Sequence, residues 1–150
     1  MRDWKRTNIF YQITQIPQTG AIMQVITTHL NADFDCLASM VAARKLYPSA
    51  RLVFSGSAEK AVNEYLKQFP PSFGISRIKD IDLDEVSQLI IVDTHDPRRI
   101  GIFQSLLDKP DVDVHIYDHH PEEVADVFAE AQCTIRKRGA STTLLCEILE

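Results

Sequence analysis

The chain has 150 residues, 45% hydrophobic and 25% charged, the balance of one globular domain large enough to bury a core. Sixteen Lys and Arg against 21 Asp and Glu leave a formal net charge of -5, which excludes a broad basic face for duplex nucleic acid. A phosphate substrate is not excluded, because bound cations would reverse the local charge. No apolar run reaches membrane-spanning length, so no membrane partner is expected. Cys36, Cys133 and Cys146 form no C-x-x-C pair, and no secretory signal precedes them. They read as reduced thiols of a cytoplasmic protein, with Cys36 and Cys146 as small core residues.

Residues 1–20 differ in character from the rest and read as an irregular N-terminal extension, closed by Pro17 and Gly20. Met23 falls at the first strand, so the natural start is open between Met1 and Met23. Residues 21–150 then alternate short β-rich runs with segments of helical period. IMQVITT is a strand, and FDCLASMVAARKLY a helix closed by Pro48. RLVF is the next strand, followed by the helix SAEKAVNEYLKQF, with Ser57 as N-cap and Pro70–Pro71 as its stop. ISRIKDI suggests a further strand, and SQLIIVDT reads as the most deeply buried one. Ile100 to Leu107 gives a short helix and VDVHIYD another strand. PEEVADVF reads as a helical turn or two led by Pro121, AQCTIRK as an edge strand, and ASTTLLCEILE as a helix opening at Ser141. That last helix carries no stop signal, so the chain is expected to end inside a larger protein. Strands alternating with helices imply an α/β fold, a doubly wound, mainly parallel sheet with helices on both faces.

Ligands of such a sheet bind beyond the carboxyl ends of its strands. Acids and histidines collect there: His29 with Asp33 and Asp35 after the first strand, Asp93 after SQLIIV, and Asp118, His119 and His120 after VDVHIY. Unpaired, these carboxylates would repel one another, and divalent cations relieve that repulsion. Mixed Asp oxygens and His nitrogens suit Mn2+, Co2+ or Fe2+ better than Mg2+, which prefers oxygen alone. Five ligands suffice for two metals if one aspartate bridges them.

Each residue also has a plainer account. Asp33 fits a helix N-cap, His95 a turn residue before Pro97, and His115 a strand residue with a local partner. Arg98 and Arg99 could meet a phosphate, but a solvated turn explains them too. The SGS at Ser55–Ser57 lacks a phosphate-loop pattern, which leaves capping for it and argues against a dinucleotide-binding dehydrogenase domain. Together these accounts would require independent accidents at three strand ends on one edge. The coincidence favours a site.

HLNADFD (His29–Asp35), VDT (Val92–Thr94), DHH (Asp118–His120) and GASTT (Gly139–Thr143), in this order, resemble the DHH phosphoesterase superfamily, over nearly everything from Met23 to Glu150. Finer details resemble bacterial proteins in which a DHH module precedes CBS domains and a tRNA nucleotidyltransferase. The resemblance implies a partial N-terminal DHH domain over 21–150, with a DHHA1-type domain that chooses the substrate lying downstream. By the same resemblance His29 and Asp33 hold one metal, Asp35 and His119 the other, and Asp93 bridges them. His120 then faces the phosphate as a donor, Asp118 orients its neighbours, and Asn31 and GASTT shape the loops; for Ser141 a plain helix cap remains an equal alternative. One more metal-binding aspartate of the family would fall beyond Glu150. The implied chemistry is two-metal hydrolysis, with Mn2+ first and Mg2+ or Co2+ as alternatives. Its substrate is a phosphodiester or phosphoanhydride: a single-stranded RNA or DNA end, an oligonucleotide or a nucleotide. A homo-oligomer of the full-length protein is left open. The alternative is a regulatory or substrate-positioning module beside a nucleotidyltransferase, with little hydrolysis of its own.

Overall fold

The computed structural model describes residues 23–70 and 74–150. The expected extension at residues 1–20 lies outside them. Five strands form one parallel sheet in the order β2-β1-β3-β4-β5. They are β1 (Met23–Thr27), β2 (Arg51–Leu52), β3 (Val86–Val92), β4 (Asp113–Asp118) and β5 (Gln132–Ile135). The α-helices are α1 (Phe34–Leu46), α2 (Lys60–Gln68) and α3 (Ser141–Leu149).

The apolar run of β3 is buried on both sides, as a central parallel strand requires. Ile90 and Val92, with Ile26 of β1, pack against Met40 and Ala43 of α1 and Leu145 of α3. Leu89 and Ile91, with Val25, face Phe103, Leu106 and Phe128 on the opposite side. Each of these fully buried aliphatic side chains contributes about 1.5–3 kcal/mol. Val62 anchors α2 against Cys36 and Leu37 of α1. The α/β, parallel, doubly wound expectation holds, but the second face is covered by a 3-10 helix, Gly101–Asp108, where a regular helix was expected.

Other elements differ for local reasons. The strand expected at RLVF regularises only over Arg51–Leu52, and ISRIKDI is not a strand beyond a single bridge from Ser76 to Val53. Arg77 grips Asp80 with two hydrogen bonds (2.8 and 3.2 Å), and this closes Ile78–Asp80 into a 3-10 turn. Ser57 does not cap α2. Its carbonyl accepts from Ala32 N (3.1 Å) while Glu59 N donates to Ala32 O (2.8 Å), so this stretch is spent clasping the β1–α1 loop and the helix starts at Lys60. Pro121 does not open a helix either: His95 engages the Glu122 carbonyl (3.0 Å), and only Asp126–Phe128 coils, as a 3-10 turn. Cys36 is buried as expected, whereas Cys146 is exposed on α3. No helix among the described residues is long and apolar enough to cross a membrane.

Candidate metal centre

In this strand order the direction of winding reverses between β1 and β3, which opens a crevice at their carboxyl ends. His29 leaves β1 and Asp93 leaves β3 on either side of it. Asn31 and Asp93 both adopt left-handed backbone angles, φ 57° and 63°, which Asn and Asp tolerate better than other side chains. Asp93 N donates to Tyr117 O (2.9 Å), locking that turn against β4.

Asp93 is buried and lies at the centre of the cluster. Its Oδ2 is 3.7 Å from His29 Nε2, and its Oδ1 is 3.3 Å from His119 Nε2. Both imidazoles are held from behind: His29 Nδ1 meets the Leu30 carbonyl (2.7 Å) and His119 Nδ1 the Arg138 carbonyl (3.0 Å). A carbonyl only accepts, so Nδ1 carries the proton in each ring. Nε2 of each ring is thereby turned into the cluster, His119 Nε2 toward Asp93 and His29 Nε2 toward Cys36 Sγ (3.0 Å) with Asp93 beyond it, the edge a metal-ligating histidine presents.

Two sets of ligand atoms each converge within 4.8 Å: His29, Asp33, Cys36 and Asp93, and Asp93, Asp118, His119 and His120. Asp93 belongs to both. Asp33 also caps α1, accepting from Cys36 N (3.0 Å), so the plain account and the site account of this residue are both realised. Asp35 sits outside these two sets, with Oδ2 3.8 Å from His119 Nε2. The backbone amides of Ser141 (2.8 Å) and Thr142 (3.0 Å) donate to its carboxylate, and so does Thr142 Oγ1 (2.5 Å). Asp118 receives the backbone N of His119 and His120 Nδ1 on Oδ1 (2.8 and 2.7 Å), and His95 Nδ1 on Oδ2 (2.5 Å).

The electrostatics follow from this packing. Burial, reinforced by the nearby Asp35 charge, pushes the Asp93 carboxyl above its usual range. Burial also works against ionised Asp35, but hydrogen bonds from Thr142 and Ser141 outweigh it and hold that carboxyl low. Burial raises the Cys36 thiol, which stays a neutral donor to Asp93 Oδ2 (3.2 Å). Burial tends to lower His120, yet its bond to Asp118 raises it overall. Among the described residues the side chains that pair with buried Asp93 and half-buried Asp35 are histidines, and no Lys or Arg pairs with either acid. Such a donor set fits divalent cations.

All seven site residues expected from the sequence come together here. The sequence assigns Cys36 to the core, His95 to a turn and Thr142 to a loop-shaping segment, and leaves Ser141 open between a helix cap and a ligand contact. His95 is buried rather than a free turn residue. Ser141 is the first residue of α3, not its cap, and its Oγ donates to Asp93 Oδ1 (2.9 Å). His115 has the local partner expected of it, Asp113, and also meets Tyr47, which follows α1.

Comparisons with known proteins agree with this picture. Residues 24–149 match the model of the DHH family, N-terminal domain. The A-adding tRNA nucleotidyltransferase of Geobacter sulfurreducens is 48% identical over 124 residues, 82% of this chain and 14% of that protein. The chain thus spans a small part of that relative. The crystal structure of an exopolyphosphatase-related protein from Bacteroides fragilis shares the fold, with a TM-score of 0.67 at 16% identity, over 85% of this chain and 38% of that one.

Proposed function

We infer the function from one premise: the chain belongs to the DHH family and carries its N-terminal domain. The reading that the geometry supports best is a divalent-metal-dependent hydrolase of a phosphodiester or phosphoanhydride. One observation carries it: buried Asp93 lies between two histidines, one carboxylate oxygen near each Nε2, while both Nδ1 atoms are engaged by backbone carbonyls. In this reading His29 and Asp33 would hold one cation, Asp35 and His119 the other, and Asp93 would serve both. Mn2+ suits the mixed oxygen and nitrogen ligands best, with Co2+ or Mg2+ as alternatives. Bound cations supply a hydroxide at neutral pH and neutralise charge on the transferred phosphoryl group.

The chain's own residues do the rest. Ser141 and Cys36 fix the Asp93 carboxylate by donating to its two oxygens. Asp118 orients His120 through Nδ1, which leaves Nε2 to donate to the phosphate, and its raised affinity for a proton keeps it a donor. The substrate is a nucleic-acid 3′ end, an oligonucleotide or a nucleotide, in a cytoplasmic setting. The named relative favours a second reading, a regulatory or substrate-positioning module beside a tRNA nucleotidyltransferase.

Metal content and turnover on short single-stranded oligonucleotides and pyrophosphate separate the two readings. The intact protein should bind close to two Mn2+ and hydrolyse one of these substrates. Asp93→Asn should lose at least about a hundredfold in turnover together with bound metal. Full metal occupancy without turnover on any of them favours the regulatory module.

A further inference from the structure

Cys36 is buried inside the metal cluster, whereas the thiols of Cys133 and Cys146 are exposed elsewhere, on β5 and α3. Asp33 caps α1 by accepting from Cys36 N (3.0 Å), and that first helical turn carries the sulfur inward. Sγ stands 3.0 Å from His29 Nε2 and 3.2 Å from Asp93 Oδ2, and those two atoms are 3.7 Å apart. His29 Nδ1 donates to the Leu30 carbonyl, so the neutral imidazole offers a lone pair at Nε2. The three atoms thus form a triangle of electron-pair donors around a single proton, that of the thiol. One proton cannot serve both neighbours of the sulfur. A cysteine that only fills the core packs among carbons instead.

The triangle has the size of a coordination sphere. Bonds of about 2.0–2.1 Å from nitrogen or oxygen and about 2.3 Å from sulfur place the ligands of one cation about 3.0–3.7 Å apart. A ligand atom of Asp33 falls with the other three inside 4.8 Å. His29, Asp33 and Asp93 also line a cavity of about 500 Å³, through which a cation reaches them. In the metal-free fold burial disfavours the thiolate, and the thiol donates to Asp93 Oδ2. A dication reverses that balance, because a coordinating thiol gives up its proton to it. The dipole of α1 acts in the same sense, since Cys36 lies in its first turn.

We propose that Cys36 is a sulfur ligand of the cation held by His29, Asp33 and Asp93, so that this position selects Zn2+ or Co2+ over Mn2+ and Mg2+. The proposal rests on the metal-centre reading but not on hydrolysis. On binding, the Cys36 proton passes to solvent and a metal–sulfur bond replaces the S–H bond. From then on Cys36 holds Asp93 through the shared cation rather than through a hydrogen bond. A thiolate among nitrogen and oxygen ligands favours softer cations. Asp35, Asp93 and His119 supply no sulfur and leave the second position to a harder ion such as Mn2+. The two positions therefore differ in chemistry, and the loaded protein carries two different metals.

Co2+ titrated into chelator-treated, intact natural protein tests it, because a cobalt–thiolate bond absorbs strongly in the near ultraviolet. The first equivalent should bring up that band, Zn2+ in equal amount should bleach it, and Mn2+ should not. Cys36→Ser should abolish the band and weaken Co2+ binding at least about tenfold, while Cys133→Ser/Cys146→Ser leaves both unchanged. X-ray absorption of the zinc-loaded wild type should show a sulfur neighbour at about 2.3 Å, a measurement that needs no variant to fold. Co2+ or Zn2+ bound without sulfur, a band that survives Cys36→Ser, or Mn2+ displacing Co2+ as readily as Zn2+ does overturns the proposal. Asp93→Asn separates that failure from failure of the metal centre itself. If Co2+ binds without the band and Asp93→Asn abolishes the binding, Cys36 is removed as a ligand and the centre stands. If Asp93→Asn leaves such binding untouched, both fall.

Discussion

Asp93 carries two opposing demands at one residue. Its left-handed backbone turns the carboxylate inward, where burial and the Asp35 charge disfavour its ionised form. Without metal, ionised Asp93 therefore destabilises the fold at neutral pH, and that penalty is relieved as pH falls through its raised folded-state pKa. Asp35 behaves in the opposite sense. Its hydrogen bonds contribute stability above the ordinary carboxylate pKa, and that contribution is lost as pH falls through its lowered one. Asn tolerates the same backbone angle and keeps one acceptor oxygen for Ser141, so Asp93→Asn removes the charge at the cost of the weaker bond from Cys36. In chelator-treated protein at pH 7 this variant should melt above the wild type, by roughly 2–4 °C for each kcal/mol relieved. The gap should close as pH falls through the raised folded-state pKa of Asp93 toward the ordinary carboxylate range. A lower melting temperature at pH 7 would show that the charge is already compensated in the metal-free fold.

Among the elements, α3 delivers the least local part of the site. Its first two amides and the Thr142 hydroxyl close on Asp35, a residue more than a hundred positions earlier in the chain. Ser39 of α1 joins the contact through Thr142 Oγ1 (3.1 Å), which ties the two helices together at their N-terminal ends. The orphan amides of one helix are thus satisfied by a carboxylate in the first turn of another. Thr142→Val keeps the side-chain shape and removes the hydroxyl. It should cost about 1–2 kcal/mol, read as a drop in urea midpoint without a change in slope. An unchanged midpoint would assign the hold on Asp35 to the two backbone amides alone. This contact also marks the limit of what could be read from the chain. The strands were legible because β1, β3 and β4 carry apolar runs that end abruptly in acids or histidines. The helix at GASTT was legible too, but Ser141 stayed open between a plain cap and a ligand contact because local spacing cannot reveal a partner more than a hundred residues away. His95 was missed for the same reason, since its partners Asp118 and Glu122 lie on another loop. The opening of α2 was misplaced because the backbone beside Ser57 is bound by a loop rather than by its own helix.

At the scale of the whole molecule, the strand order makes the candidate ligands a brace across the sheet. β1, β3 and β4 are consecutive neighbours, so His29, Asp93 and His119 hang from three adjacent strand ends, and α3 closes on them through Asp35. In the metal-free protein the brace consists of hydrogen bonds and histidine–carboxylate contacts around carboxylates that repel one another. A ligand that binds only the folded arrangement stabilises it by about 2.7 kcal/mol at a hundredfold excess over its dissociation constant. For a domain of this size that corresponds to a rise of roughly 5–11 °C in melting temperature. Mn2+ added to chelator-treated protein should therefore raise the melting temperature by about this amount, and Asp93→Asn should abolish most of the rise. A cation that bound only at the surface would leave wild type and Asp93→Asn responding alike, because surface sites do not join the three strand ends. Equal shifts in the two proteins would therefore remove the metal centre as the element that unites the edge of the sheet.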